Sequence, residues 1–172
     1  MKKIHPLIYT AVCIALGVVL PIAFHAVPDA GRIFLPMHIP VLLCGLICGW
    51  PYGLICGIFA PVLSHYLTGM PPAAFLPSML CELAAYGLFS GLLVRLIRTK
   101  KELLNLYVAL VGAMLLGRAL AGILNALIFS AGRYSLQIWL TGAFATALPG
   151  IVIQIVLLPA LVFALKKAKL TE

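Results

Sequence analysis

Six apolar runs, parted by short polar breaks, take up almost the whole chain. They lie at about 7–25, 35–49, 53–67, 75–97, 104–129 and 136–165. A helix needs about 20 apolar residues to cross the hydrocarbon core of a bilayer. The expectation is an all-α, polytopic membrane protein: a single integral domain of six transmembrane helices with very short loops. Spans 2 and 3 are short, and span 2 carries Pro36 and Pro40, so one broken re-entrant hairpin is the alternative there. Charged residues make up only 9% of the 172, against about a quarter in a soluble domain. Too few remain to coat a soluble surface, which excludes a soluble enzyme, a nucleic-acid binder and a disordered tail.

The net charge of +8 is explained by position. Lys2, Lys3, Arg95, Arg98, Lys100, Lys101, Lys166, Lys167 and Lys169 flank alternate ends of the runs. Basic residues beside spans mark the cytoplasmic side, so both termini are expected inside. Arg32 and Arg133 then fall in outer loops, and Arg118 lies within span 5. The Met1-Lys2-Lys3 start resembles a signal peptide, but the apolar run after it is long and is read as an uncleaved first span. Cys13, Cys44, Cys48, Cys56 and Cys81 all lie inside apolar runs and are read as small packing residues. GLICG occurs at 45–49 and again at 53–57. It is read as two glycine faces meeting across a Trp50-Pro51-Tyr52 turn, since small residues four apart let helices approach closely.

Polar groups inside lipid are costly and mark function by default. With alternating spans, His25, His38, His65, Glu82, Asn125 and Trp139 all fall in the outer half, and Arg118 near mid-membrane. Ser78, Glu82, Tyr86 and Phe89 share one face of span 4. Arg118, Gly122, Asn125 and Phe129 share one face of span 5. Each face combines a charge, a neutral polar group and aromatics, the mix a small-molecule pocket needs. Two readings stand for Glu82 and Arg118: a mutually neutralising buried pair, or ligand contact by at least one of them. Asn125 serves a pocket or bonds a neighbouring helix, and Trp139 lines a pocket or anchors at the interface. His25 is read as interfacial, and Met79 and Cys81 as packing.

The segment Leu35-Pro36-Met37-His38-Ile39-Pro40-Val41-Leu42-Leu43-Cys44-Gly45, with Gly69-Met70-Pro71-Pro72 and Glu82-Leu83-Ala84-Ala85-Tyr86-Gly87, resembles the substrate-binding S components of energy-coupling factor (ECF) vitamin transporters. The likeness extends over the whole chain. It implies a bacterial cytoplasmic-membrane subunit that captures a vitamin or precursor outside. That subunit docks on a transmembrane scaffold shared with two cytoplasmic ATPases, topples, and releases its cargo inside. It implies that Ala11 and Ala15 match the family's scaffold-contacting AxxxA motif. It also implies a lid over the pocket, here Pro28 to Phe34, with Asp29 and Arg32 as its contacts. The absence of a GxxxxGK[ST] loop assigns ATP to the partners. No cofactor, metal ligand or catalytic residue is expected. An intramembrane enzyme finds no GxSxG or HExxH to support it. An autonomous carrier lacks the polar inner half and inverted repeat expected of it.

Overall fold

Apolar segments in lipid satisfy their backbone polar groups internally, which favours helices. The computed structural model describes residues 6–24, 29–97 and 100–170, and every regular element among them is helical. In order they are α1 (Pro6–Ala23), α2 (Ala30–Phe34), α3 (His38–Cys48), α4 (Trp50–Thr68), α5 (Leu76–Leu96), α6 (Glu102–Leu124), α7 (Leu136–Leu140) and α8 (Leu148–Lys167). Wider π-turns continue α6 over Asn125–Phe129 and α7 over Thr141–Thr146. Lys2, Lys3, His25, Pro28 and Arg98 lie outside the described residues.

Five stretches among the described residues are long and apolar enough to cross a membrane: Pro6–Ala23, Ala30–Cys48, Leu76–Leu96, Glu102–Phe129 and Leu148–Lys167. The six-run expectation differs at α4. This helix has 19 residues, enough for a span, but Trp50, Pro51 and Tyr52 at its start and His65 and Tyr66 near its end dilute its apolar content. Three boundaries also differ. Trp50-Pro51-Tyr52 is the first turn of α4, not a loop. The chain reverses at Gly49, whose φ of 91° is open to glycine, and Pro51 suits the first helical turn. Ala30–Phe34, expected as loop, is helical and is counted with α3 in one candidate span. Residues 136–165 form two helices rather than one. The wide turn at 141–146 and Pro149, which lacks an N–H for a continuous ladder, separate α7 from α8.

Helix α3 is the centre of the bundle, with Val41, Leu42 and Cys44 fully buried. It packs against α1, α4, α5 and α8, while α5 packs against α4 and α6. The two GLICG segments do meet, but around a third helix. A Cβ on Gly53 would stand 2.7 Å from Gly45 Cα and would strike the Gly87 carbonyl of α5. Gly57 faces α5 in the same way at Leu83, and Gly91 of α5 faces the Gly49–Trp50 backbone. Gly49 thus serves the turn, and α5 supplies the missing wall of the seam. Outside this core, Leu7, Ile8, Val12, Leu115, Ile123, Val152 and Val156 present an exposed apolar belt.

At one end of the bundle the Tyr9 hydroxyl donates to the Leu170 carbonyl at 2.9 Å, and Lys166 pairs with Glu102. These contacts gather the start of α1, the start of α6 and the end of α8. At the other end Phe24 and Phe34 stack with centroids 5.5 Å apart. There α2 lies on α8 at Gly150, where a Cβ would stand 2.8 Å from the Ile33 carbonyl.

Candidate functional site

The helical period places Ser78, Glu82 and Tyr86 on one face of α5, each a turn apart. Glu82 is six residues into the helix, about 9 Å from its start at 1.5 Å per residue. Tyr86 is fully buried and is the hub of this region. Its ring meets the His38 ring edge-on with centroids 5.2 Å apart. It also lies over Gly117 of α6, where any Cβ would strike it. Its hydroxyl donates to Glu82 Oε1 at 3.1 Å, and the same oxygen is 3.7 Å from His38 Nε2.

Arg118 of α6 is 2% exposed. Its Cζ stands 5.5 Å from the Phe144 ring centre, and its backbone carbonyl accepts from Trp139 Nε1 at 3.1 Å. The Trp139 indole fills the space left by Gly122. Trp139 therefore ties α7 to α6 as well as standing beside the site, and Phe144 closes against it edge-on at 5.4 Å. Among the described residues Glu82 lies within ion-pair distance of His38 and not of Arg118. Asn125 donates to Ser78 Oγ at 2.6 Å and to the Ala121 carbonyl at 2.8 Å. It thus joins α5 to α6, the interhelical alternative. Asn125–Phe129 forms a wider π-turn at the end of α6.

Buried polar atoms nearly always find partners. Here several have none among the described residues: both ring nitrogens of His38, Nε and Nη2 of Arg118, and both amide atoms of Gln154. Each such group costs about 1–3 kcal/mol when left unpaired. The three side chains come from α3, α6 and α8, helices that pack on one another. Gln154 is fully buried on the inward face of α8, and α8 packs against both α3 and α6. Burial and the negative field of Glu82 hold the Tyr134 phenol above its ordinary pKa, so the field of the site reaches the α6–α7 connection. A cavity of about 80 Å³ adjoins Arg118, lined also by Met114, Phe144, Ile151 and Ile155.

His65 is engaged elsewhere: its Nδ1 bonds the Pro71 carbonyl at 2.7 Å, and its ring meets Tyr66. Both contacts are local to the α4–α5 connection and do not join it to Glu82. Asp29 is exposed with a left-handed backbone, φ 56°. Arg32 is exposed with its guanidinium 4.8 Å from the centre of the Phe75 ring, bridging α2 to the start of α5. Ala11 and Ala15 lie on the exposed side of α1.

The family model described as ECF transporter, substrate-specific component matches residues 5–162. The chain belongs to that family. No curated protein and no solved structure matches it. As a substrate-specific component the chain is a transport subunit and not an enzyme. The His38-Ile39-Pro40-Val41 segment of this S component opens α3 with His38, Pro40 and Val41 buried. The motif thereby anchors the central helix and delivers one of the unpartnered side chains. Gln154, Phe144 and Tyr134 are candidates that the sequence reading did not single out. Gln154 carries a sequence signal, as the one amide in the apolar stretch 148–165.

Proposed function

We propose that this S component captures a water-soluble vitamin or vitamin precursor from outside the cell. It delivers that cargo inward together with an ECF transmembrane scaffold and two cytoplasmic ATPases. The observation that carries this reading is a set of buried side chains with unpartnered polar atoms, His38 on α3, Arg118 on α6 and Gln154 on α8, with His38 beside Glu82 and Tyr86. An interior that only had to be stable would gain by replacing them with apolar residues. A site awaiting a polar solute needs them.

In this reading the chain crosses six times, with α4 as the third span and both termini inside. Supporting it, Lys100, Lys101, Lys166, Lys167 and Lys169 all flank the ends of helices that meet around the Lys166–Glu102 pair, as cytoplasmic ends require. Glu82, His38 and Trp139 belong to the opposite halves of their spans. Asp29 and Arg32 flank that end as lid residues. The exposed Ala11–Ala15 face of α1 is the scaffold-docking surface, where small side chains permit close helix contact.

The test is equilibrium binding of a vitamin panel to the purified protein without ATP, followed by uptake in cells. At least one compound binds, and uptake appears only when scaffold and ATPases are co-expressed. No binding by well-folded protein to any vitamin or precursor overturns the reading. Uptake with the chain expressed alone would instead mark an autonomous carrier.

A further inference from the structure

The three unpartnered groups differ in chemistry, and the difference specifies a ligand. Arg118 is permanently charged and 2% exposed. The Phe144 face, 5.5 Å from its Cζ, offers a cation–π contact but accepts no in-plane hydrogen bond from Nε or Nη2. Those two donors are left open and lie on one edge of the guanidinium, the edge that takes a carboxylate as two parallel hydrogen bonds. The acid nearest in kind, Glu82, is not at ion-pair distance. Its Oε1 already accepts from Tyr86 and faces His38. Gln154 adds an amide with free donors and a free acceptor from α8, the helix whose Ile151 and Ile155 line the cavity beside Arg118. The site thus holds two open guanidinium donors on one side and, about Glu82, a hydrogen-bond acceptor on the other.

We propose that the molecule selected by this site is a small carboxylate whose anion is held by the Nε–Nη2 edge of Arg118 with the Gln154 amide, and whose N–H or O–H groups face Glu82. This deepens the transport reading and rests on it. A bound carboxylate then meets a fixed cation held in a low-dielectric interior, where such pairing is strong. A solute without an acid group would leave the Nε and Nη2 donors of Arg118 unpaired.

The test uses matched pairs that differ only in the acid: pantothenate against panthenol, nicotinate against nicotinamide, and biotin against biotin amide. Each is titrated into the full-length protein in detergent, with heat of binding and thermal midpoint as readouts. At least one acid binds, and its neutral partner binds tenfold or more weaker. Arg118→Lys keeps the charge but loses the two-bond edge, and weakens the acid at least tenfold while changing the neutral partner little. Gln154→Leu, an apolar replacement of similar size, folds and weakens the acid severalfold. Equal affinity within every pair overturns the carboxylate assignment and leaves the transport reading standing, as does binding confined to thiamine or another cation. No binding by any compound, with the thermal transition intact, overturns both.

Discussion

Tyr86 performs three jobs with one side chain. Its ring packs on His38 and on Gly117, and its hydroxyl holds Glu82. Each job predicts a distinct outcome. Tyr86→Phe keeps the ring and removes the hydroxyl, so the thermal midpoint falls slightly, by the equivalent of about 1 kcal/mol for one lost hydrogen bond. Solute affinity falls more, because the freed Glu82 carboxylate turns. Gly117→Ala places a methyl against the buried ring and costs about 1–3 kcal/mol of overpacking, read as a lower unfolding midpoint in detergent. Among residues, Glu82, Arg118, His38 and Tyr86 were legible from charge and helical spacing, because ionisable groups in apolar runs stand out. Gln154 and Phe144 were not. The first carries no charge, and the second was hidden in a segment read as regular helix.

At the scale of elements, the close contact of α3, α4 and α5 runs along a seam where Gly45, Gly53, Gly57, Gly87 and Gly91 let backbones touch. Gly53→Ala or Gly87→Ala drives a methyl into a facing backbone that has no side chain to move. Either variant is expected to lower the yield of folded protein severely. Gly31→Ala in α2 is the matched control: nothing lies within 4 Å of the added carbon. Alanine's higher helix propensity makes that variant neutral or more stable by up to about 1 kcal/mol. Thermal melts of the three proteins side by side decide the matter. A smaller effect belongs to Ser135, whose hydroxyl accepts from the Ile138 amide at 3.2 Å and caps α7. Ser135→Ala removes about 1 kcal/mol from the short helix that presents Trp139. It should show as altered tryptophan emission before any change in overall melting. The repeated GLICG signalled close packing, but it could not name α5 as the partner. A repeat reports its own small faces and says nothing of which distant helix fills them.

At the scale of the molecule, the exposed face of α1 predicts a separation of binding from transport. Ala11→Trp and Ala15→Trp add bulk where no intramolecular neighbour is disturbed, since both positions are exposed. Binding by the isolated protein should be unchanged, while uptake with scaffold and ATPases falls by an order of magnitude or more. Unchanged uptake in the double variant would remove the docking assignment. Reporter fusions at both ends, scored for cytoplasmic activity, check the orientation inferred from the basic residues. An even number of crossings puts both reporters on the cytoplasmic side.

What the sequence determined by itself is the solvent and the class of element. Long apolar runs leave the backbone only helices as a way to satisfy itself in lipid, and flanking charge carries an orientation signal. It determined the family too, through segments such as His38-Ile39-Pro40-Val41. The tertiary structure alone decided which polar groups meet. Depth along a span follows from counting residues, but rotation about the helix axis follows from packing. Here packing turned His65 toward Pro71 and tied Asn125 to Ser78. It set Tyr86 rather than Arg118 at hydrogen-bond distance from Glu82, and left Nε and Nη2 of Arg118 and the Gln154 amide without hydrogen-bond partners. That last arrangement depends on α6, α7 and α8 closing together, a long-range contact with no local signal in the chain.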